Sequence, residues 1–310
     1  MKKSLIAVLL VSSFSLITYA ESKNFSGLES APPAPIEPQN PGSKSYFFDF
    51  EVKKVNCQGR SVSAYLPKAE AGKKFPVVVY GHGQALNLEN YSATLEHLAK
   101  KGIGALFPTY DTGFFDQDWQ RMGNDYAKMA ACAISQFSDR LDADKVVFAG
   151  HSKGAYVASI AAGNAVRNNL PIRAKSVVLF EVAGFDEDAI AAIEPTTSLT
   201  VVFSDHDTVV KRDLSESVYA TAKSHIKQFI DFKSYSDANL VADHFWPLTK
   251  SSFFGGGDES AFHYYGEWKW LTAAARDLAE GAKSSDPYLY GDLAADKGVS
   301  GFRDDIKRSW

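Results

Sequence analysis

Cysteine is scarce in this chain. Cys57 and Cys132 are the only two among 310 residues, too few for a disulfide-stapled scaffold or a four-thiolate zinc site. Blocks of Lys and Arg are missing and the formal net charge is −4, which argues against nucleic acid as a partner. Beyond the first twenty residues no run of 18 apolar residues occurs, so nothing there is long enough to span a bilayer and stable membrane insertion is not expected. Internal repeats are also lacking, and nothing sets an oligomeric state. What remains is ordinary: 45% hydrophobic and 23% charged residues, the composition of a globular chain and not of a disordered or coiled-coil one. The length suffices to bury a large core without staples. The two cysteines are read as buried or free thiols in preference to a Cys57–Cys132 disulfide, which export would permit and whose state the sequence leaves open.

Residues 1–20 read as a secretory signal peptide. Lys2 and Lys3 form a positive start, 5–17 an apolar stretch broken by serines, and Thr18 and Ala20 a small-residue cleavage site. The expected product is exported, periplasmic or extracellular. Residues 21–44 carry Pro32, Pro33, Pro35, Pro38 and Pro41 and predict an extended, poorly ordered leader outside the domain core. The domain itself is expected over 45–310, with a C-terminal extension from about 283.

Within it the pattern predicts a hairpin (46–50 and 62–67, turning at Gln58-Gly59), then strands at 75–80, 103–107, 145–149, 176–182, 199–203 and 227–234. Helices are expected at 90–101, 119–137, 154–165, 210–222 and 262–279. Unbroken apolar runs such as Val77-Val78-Val79-Tyr80 suit strands buried on both faces. Alternation of strand and helix implies an α/β fold: a mostly parallel sheet of about eight strands with helices on both faces.

The strongest chemical signal is Gly150-His151-Ser152-Lys153-Gly154, between a predicted strand and an Ala-rich helix. A G-x-S-x-G sequence in that context is a nucleophile elbow: the glycines admit a tight turn that presents the Ser152 hydroxyl. The amide of Lys153, at the helix start, is placed to hold an oxyanion. A second donor is expected from the turn Gly81-His82-Gly83-Gln84 after the strand 75–80, with Gln84 as the residue. His151 and His82 are read as structural.

A triad with this elbow runs Ser, then acid, then His along the chain. Asp205 and Asp207 both stand in the loop after the strand 199–203. Asp207 is preferred because it immediately precedes the turn into a helix, leaving Asp205 to brace the loop. Of the later histidines, His244 lies in a loop after the last strand, and His263, at the start of the closing helix, is the reserve. His206 between two aspartates lacks further ligands, so no metal and no cofactor are expected.

These features together resemble the α/β-hydrolase superfamily, in particular the branch of chlorophyllases, dienelactone-hydrolase-like proteins and cutinase-like polyester hydrolases. The resemblance covers roughly 46–290 and rests on 76–83 with Tyr91 and the helix end 95–102, 150–154, 207–210, His244-Phe245 with Pro247, the helix 268–271, and Asp286-Pro287-Tyr288. Ala155 stands where many members have another Gly, and Glu181-Val182-Ala183-Gly184 replaces the Trp-containing loop of the polyester-degrading members. The resemblance implies a serine esterase working through Ser152, His244 and Asp207 on a small or lipid-like ester. A peptidase or acyltransferase on the same triad, and a silent binding protein on the scaffold, are the alternatives. Tyr110, Phe114, Phe245 and Trp246 are the expected substrate-binding aromatics. Lys153 is expected to pair its ammonium with a surface carboxylate, and 249–265 to form a rim or an open loop.

Overall fold

The structure is a computed structural model. It describes residues 30–113, 115–235, 238–253 and 255–280, with the backbone of 305–309. The strands are β1 (Phe50–Cys57), β2 (Arg60–Pro67), β3 (Phe75–Gly81), β4 (Gly104–Pro108), β5 (Leu141–His151), β6 (Ser176–Phe180), β7 (Ser198–Ser204), β8 (Lys227–Phe232) and β9 (Asp305–Ser309). The helices are α1 (Ser92–Lys100), α2 (Trp119–Gln136), α3 (Lys153–Arg167), α4 (Glu187–Ala191), α5 (Arg212–Thr221) and α6 (Trp268–Glu280). One π turn, His263–Glu267, leads into α6.

All nine strands join one sheet in the order β1-β2-β4-β3-β5-β6-β7-β8-β9. Six run parallel, from β4 through β8, while β1, β2 and β9 add antiparallel edges. The predicted α/β architecture is therefore present. The first strand lies later than expected, at Phe50–Cys57 and not 46–50: β1 and β2 pair from Cys57 opposite Arg60, closed by Gln58 and Gly59, both at positive φ, as a two-residue hairpin turn demands. The short helix α4 is also unexpected, started by the Asp186 side chain accepting from the Ala189 amide.

Side chains alternate between two cores. Val77, Val79, Val146 and Phe148 face α2 and α3, with Met122 and Tyr126. Val78, Tyr80, Val147 and Ala149 face α1 and α6, with Leu95, Leu98, Trp270 and Leu271. Coverage on both faces explains why the central strands are apolar throughout. The chain steps from β3 to β4 on one side and returns to β5 on the other. This reversal opens a crevice at the C-terminal strand ends, where ligands of such sheets bind.

Two expectations need correction. Cys57, at the end of β1, and Cys132, on α2, form a disulfide with their Cα atoms 5.9 Å apart; the residues are 75 apart in sequence, and only the folding of α2 against the hairpin brings them together. The leader also does not run free of the domain. Asn40 and Ser43 are buried. The Lys101 ammonium donates toward the carbonyls of Pro38, Asn40 and Ser45 and to Ser43 Oγ, at 2.9–3.3 Å. Arg276 bonds the Gln39 carbonyl and Tyr265 the Pro33 carbonyl. Proline-rich backbone presents many unpaired carbonyls, and α1 and α6 supply the donors. The signal-peptide reading of 1–20 lies outside the described residues.

Candidate active site

Ser152 sits between the last residue of β5 and the first of α3, at φ 57° and ψ −122°. That left-handed conformation is costly for a residue with a side chain and persists only where its surroundings fix it. Here they are backbone. A Cβ on Gly154 would lie 2.1 Å from the Gly81 carbonyl oxygen, and one on Gly150 would lie 2.5 Å from the Gly154 carbonyl. The turn after β5 and the loop after β3 thus touch main chain to main chain.

The Ser152 hydroxyl is 2.9 Å from His244 Nε2. His244 Nδ1 is 2.7 Å from Asp207 Oδ2, and the other Asp207 oxygen accepts from the amides of Val209 and Val210 at 2.7 and 3.0 Å. Burial alone would raise the Asp207 carboxyl, but the bonds from His244 and from a second acid, Glu181, bring it below the usual range. The side chains of His244 and Asp207 are 4% and 0% exposed, so water competes little for either bond.

The alternatives go elsewhere. Asp205 accepts from the Ser234 amide and hydroxyl and from His206 Nδ1, bracing the loop between β7 and β8. His263 is buried against Ser260 and Trp246, and burial lowers it to about 4. No cluster of metal-ligating side chains exists among the described residues.

Lys153 begins α3 beside Ser152, and Gln84 lies in the facing loop after β3. The intervening Gly83 amide donates to Tyr91 Oη at 3.0 Å. The Lys153 side chain is buried, not superficial, with its ammonium 2.9 Å from Asp111 Oδ2 on the loop after β4.

The predicted substrate aromatics divide. Phe245 stands edge-on to His244, ring centres 5.0 Å apart. Tyr110 lines no pocket: it is wholly buried, stacked on His82, with its hydroxyl on the His82 carbonyl at 2.5 Å. Trp246 is also core, packed against Phe180, Phe232 and Phe262. Their polar tips are satisfied inside the protein, Tyr110 Oη on the His82 carbonyl and Trp246 Nε1 on Glu181, as burial of such groups requires. Phe114 lies outside the described residues. A cavity of about 350 Å³ opens beside the loop after β3, walled in part by Ser63, His82, Leu86, Phe107, Thr109 and Asp111.

Two residues escaped the sequence reading of the site. Glu181 directly follows β6 and is fully buried next to Asp207; its signal was a lone acid ending the apolar run Ser176–Phe180. Tyr91 reaches His151 from the turn Leu88–Tyr91; the sequence marked it only as one of the residues carrying the resemblance, with no role in the site. No family model matches this chain and no curated protein matches it either.

Proposed function

We propose that the protein is a serine hydrolase of the α/β-hydrolase fold that cleaves carboxylic esters through an acyl-enzyme. The observation that carries this reading is Ser152 itself: a residue held at positive φ on a strand-to-helix turn, its hydroxyl 2.9 Å from a buried imidazole that is in turn bonded to a carboxylate. A structural turn has no need of that arrangement, whereas a nucleophile bonded to a base that a third group orients is the signature of nucleophilic catalysis.

In the proposed reaction His244 Nε2 takes the Ser152 proton as Oγ attacks the ester carbonyl. Asp207 keeps Nδ1 protonated, so Nε2 is the basic nitrogen, and stabilises the imidazolium that forms. The amides of Lys153 and Gln84 receive the negative oxygen. His244 then returns the proton to the departing alcohol, and water repeats the sequence on the acyl-enzyme. The Cys57–Cys132 bond supports the exported reading, since such bonds persist in oxidising compartments. The test is covalent labelling by a fluorophosphonate together with a screen of ester and amide substrates, wild type against Ser152→Ala. Labelling and ester turnover confined to wild type supports the proposal; equal turnover by both proteins ends it.

A further inference from the structure

Two carboxyl groups meet beneath the catalytic histidine. Glu181 follows β6 and Asp207 follows β7, and these strands are parallel neighbours, so residues just past their ends lie side by side. Glu181 is at φ 51° and 0% exposed. One of its oxygens accepts from Ser204 Oγ at 2.5 Å and Trp246 Nε1 at 3.0 Å. The other accepts from the Ser204 amide at 3.1 Å. Its carboxyl lies beside the buried Asp207 side chain at the end of the neighbouring strand, and the two influence each other's ionisation. None of these partners is a cation. Among the described residues, the charged or titratable groups on this side of the site include Asp207, Asp243, His244 beyond it, and His151 packed against His244.

Two ionised carboxylates cannot hydrogen-bond each other, since each only accepts. One must carry a proton. Each carboxyl receives three donors, but one of Asp207's is the His244 imidazole, which can become a cation, so the anion belongs on Asp207. Glu181 is the more enclosed of the two. Burial, then the Asp207 charge, pushes its carboxyl well above the usual range.

We propose that Glu181 is a neutral acid that donates a hydrogen bond to Asp207, fixing the orientation of that carboxylate for His244. It is a positioning residue, acting through Asp207 and not on substrate, and its role in turnover rests on the serine-hydrolase reading above. The strained backbone at Glu181 serves this contact: it turns the first side chain after β6 sideways toward the end of β7. Without it, the Asp207 carboxylate has one partner fewer, and the triad carries the same charge with less definition.

The proton is read directly by infrared spectroscopy on the whole protein at neutral pH. The wild-type minus Glu181→Gln difference spectrum is expected to contain the carbonyl stretch of a protonated carboxylic acid; a difference containing only ionised-carboxylate bands overturns the proposal. Kinetics test the consequence. Glu181→Ala is expected to lower kcat by about 10- to 100-fold with KM within about threefold, the range for a buried bond to a charged group. It should also move the acid limb of the kcat/KM profile to higher pH, because an under-bonded Asp207 stabilises the imidazolium more strongly. Glu181→Gln keeps an N–H donor, so it should recover about tenfold of that loss and leave the acid limb within roughly 0.3 of wild type. An acid limb that drops by about one pH unit in Glu181→Gln means a negative charge was removed, and overturns the proposal. Should Glu181→Ala fail to fold, the Glu181→Gln spectrum and profile decide alone. A protonated band in a wild type without esterase activity supports the proton on Glu181 and overturns only the hydrolase reading.

Discussion

His151 Nε2 lies 2.7 Å from the main-chain carbonyl of His244. A carbonyl only accepts, so Nε2 carries the hydrogen and Nδ1 is the acceptor. Tyr91 Oη, 2.8 Å from Nδ1, must then donate to it, while accepting from the Gly83 amide. The path Gly83–Tyr91–His151–His244 thus joins the loop after β3 to the loop that carries His244. Burial, then the neighbouring His244 ring, lowers His151 to about 3, so the strut stays neutral at working pH.

Tyr91→Phe removes the middle of that path and strands two buried groups. Leaving such groups unpaired costs about 1–3 kcal/mol. The expected outcome is a kcat loss of roughly 10-fold in steady-state ester hydrolysis with little change in KM. Unchanged kcat would show that the two loops hold their positions without it.

The triad variants form a graded series. Ser152→Ala and His244→Ala should each lose several powers of ten in kcat/KM, and Asp207→Asn about 10⁴-fold. Lys153→Ala should retain much of the activity, because its proposed contribution is a main-chain amide. Activity should fall on acidification, because a protonated imidazole cannot accept the hydroxyl proton of a serine. Metal chelation should leave turnover unaltered.

Gly154→Ala places a methyl 2.1 Å from the Gly81 oxygen and 2.7 Å from the His82 amide nitrogen. Backbone cannot step aside as a side chain can, so loss of activity is expected with a fall in Tm. Ala155→Gly, one residue on in the same helix, is the control and should cost about 1 kcal/mol. A Gly154→Ala enzyme with wild-type kcat would contradict the close contact.

Glu267, on the π turn before α6, is buried with Tyr80 Oη at 2.5 Å and Thr94 Oγ1 at 2.7 Å. Burial raises its carboxyl from 4.5 to about 7. The folded state therefore binds more protons than the unfolded one between those values, and stability falls as pH rises through that window, by roughly 3 kcal/mol in all. Between pH 5 and 8 the Tm of wild type should drop by about 5 °C more than that of Glu267→Gln. Parallel Tm curves for the two proteins would refute this.

Reduction of Cys57–Cys132, or its replacement by serines, releases a span of 75 residues from the unfolded chain's constraint. The expected cost is about 2–5 kcal/mol, read as a shift in denaturation midpoint. Equal midpoints with and without reductant would remove the bond from the stability of the domain.

Much of the architecture was legible because its signals are local. Apolar runs marked the central strands, and the elbow glycines marked Ser152. The acid and base followed from chain order and loop position, and the structure puts Asp207 and His244 in one hydrogen-bonded line with Ser152. What was illegible depends on pairs distant in sequence. Cys57 and Cys132 meet only once α2 packs on the hairpin. Tyr110 and Trp246 looked like pocket aromatics because composition cannot tell which way a loop side chain turns. Glu181 needed β6 and β7 to be adjacent before it had a partner.

The contact between the leader and Lys101 alters where the domain begins. By strand count it begins at Phe50. By hydrogen-bond closure it begins near Pro33, because the leader supplies the acceptors for Lys101, His97, Tyr265 and Arg276. Trimming the chain to its first strand would leave a buried ammonium, an imidazole and a guanidinium facing water through an open seam along α1 and α6. A tag or fusion partner therefore belongs upstream of residue 30, however dispensable the proline-rich stretch looks by composition.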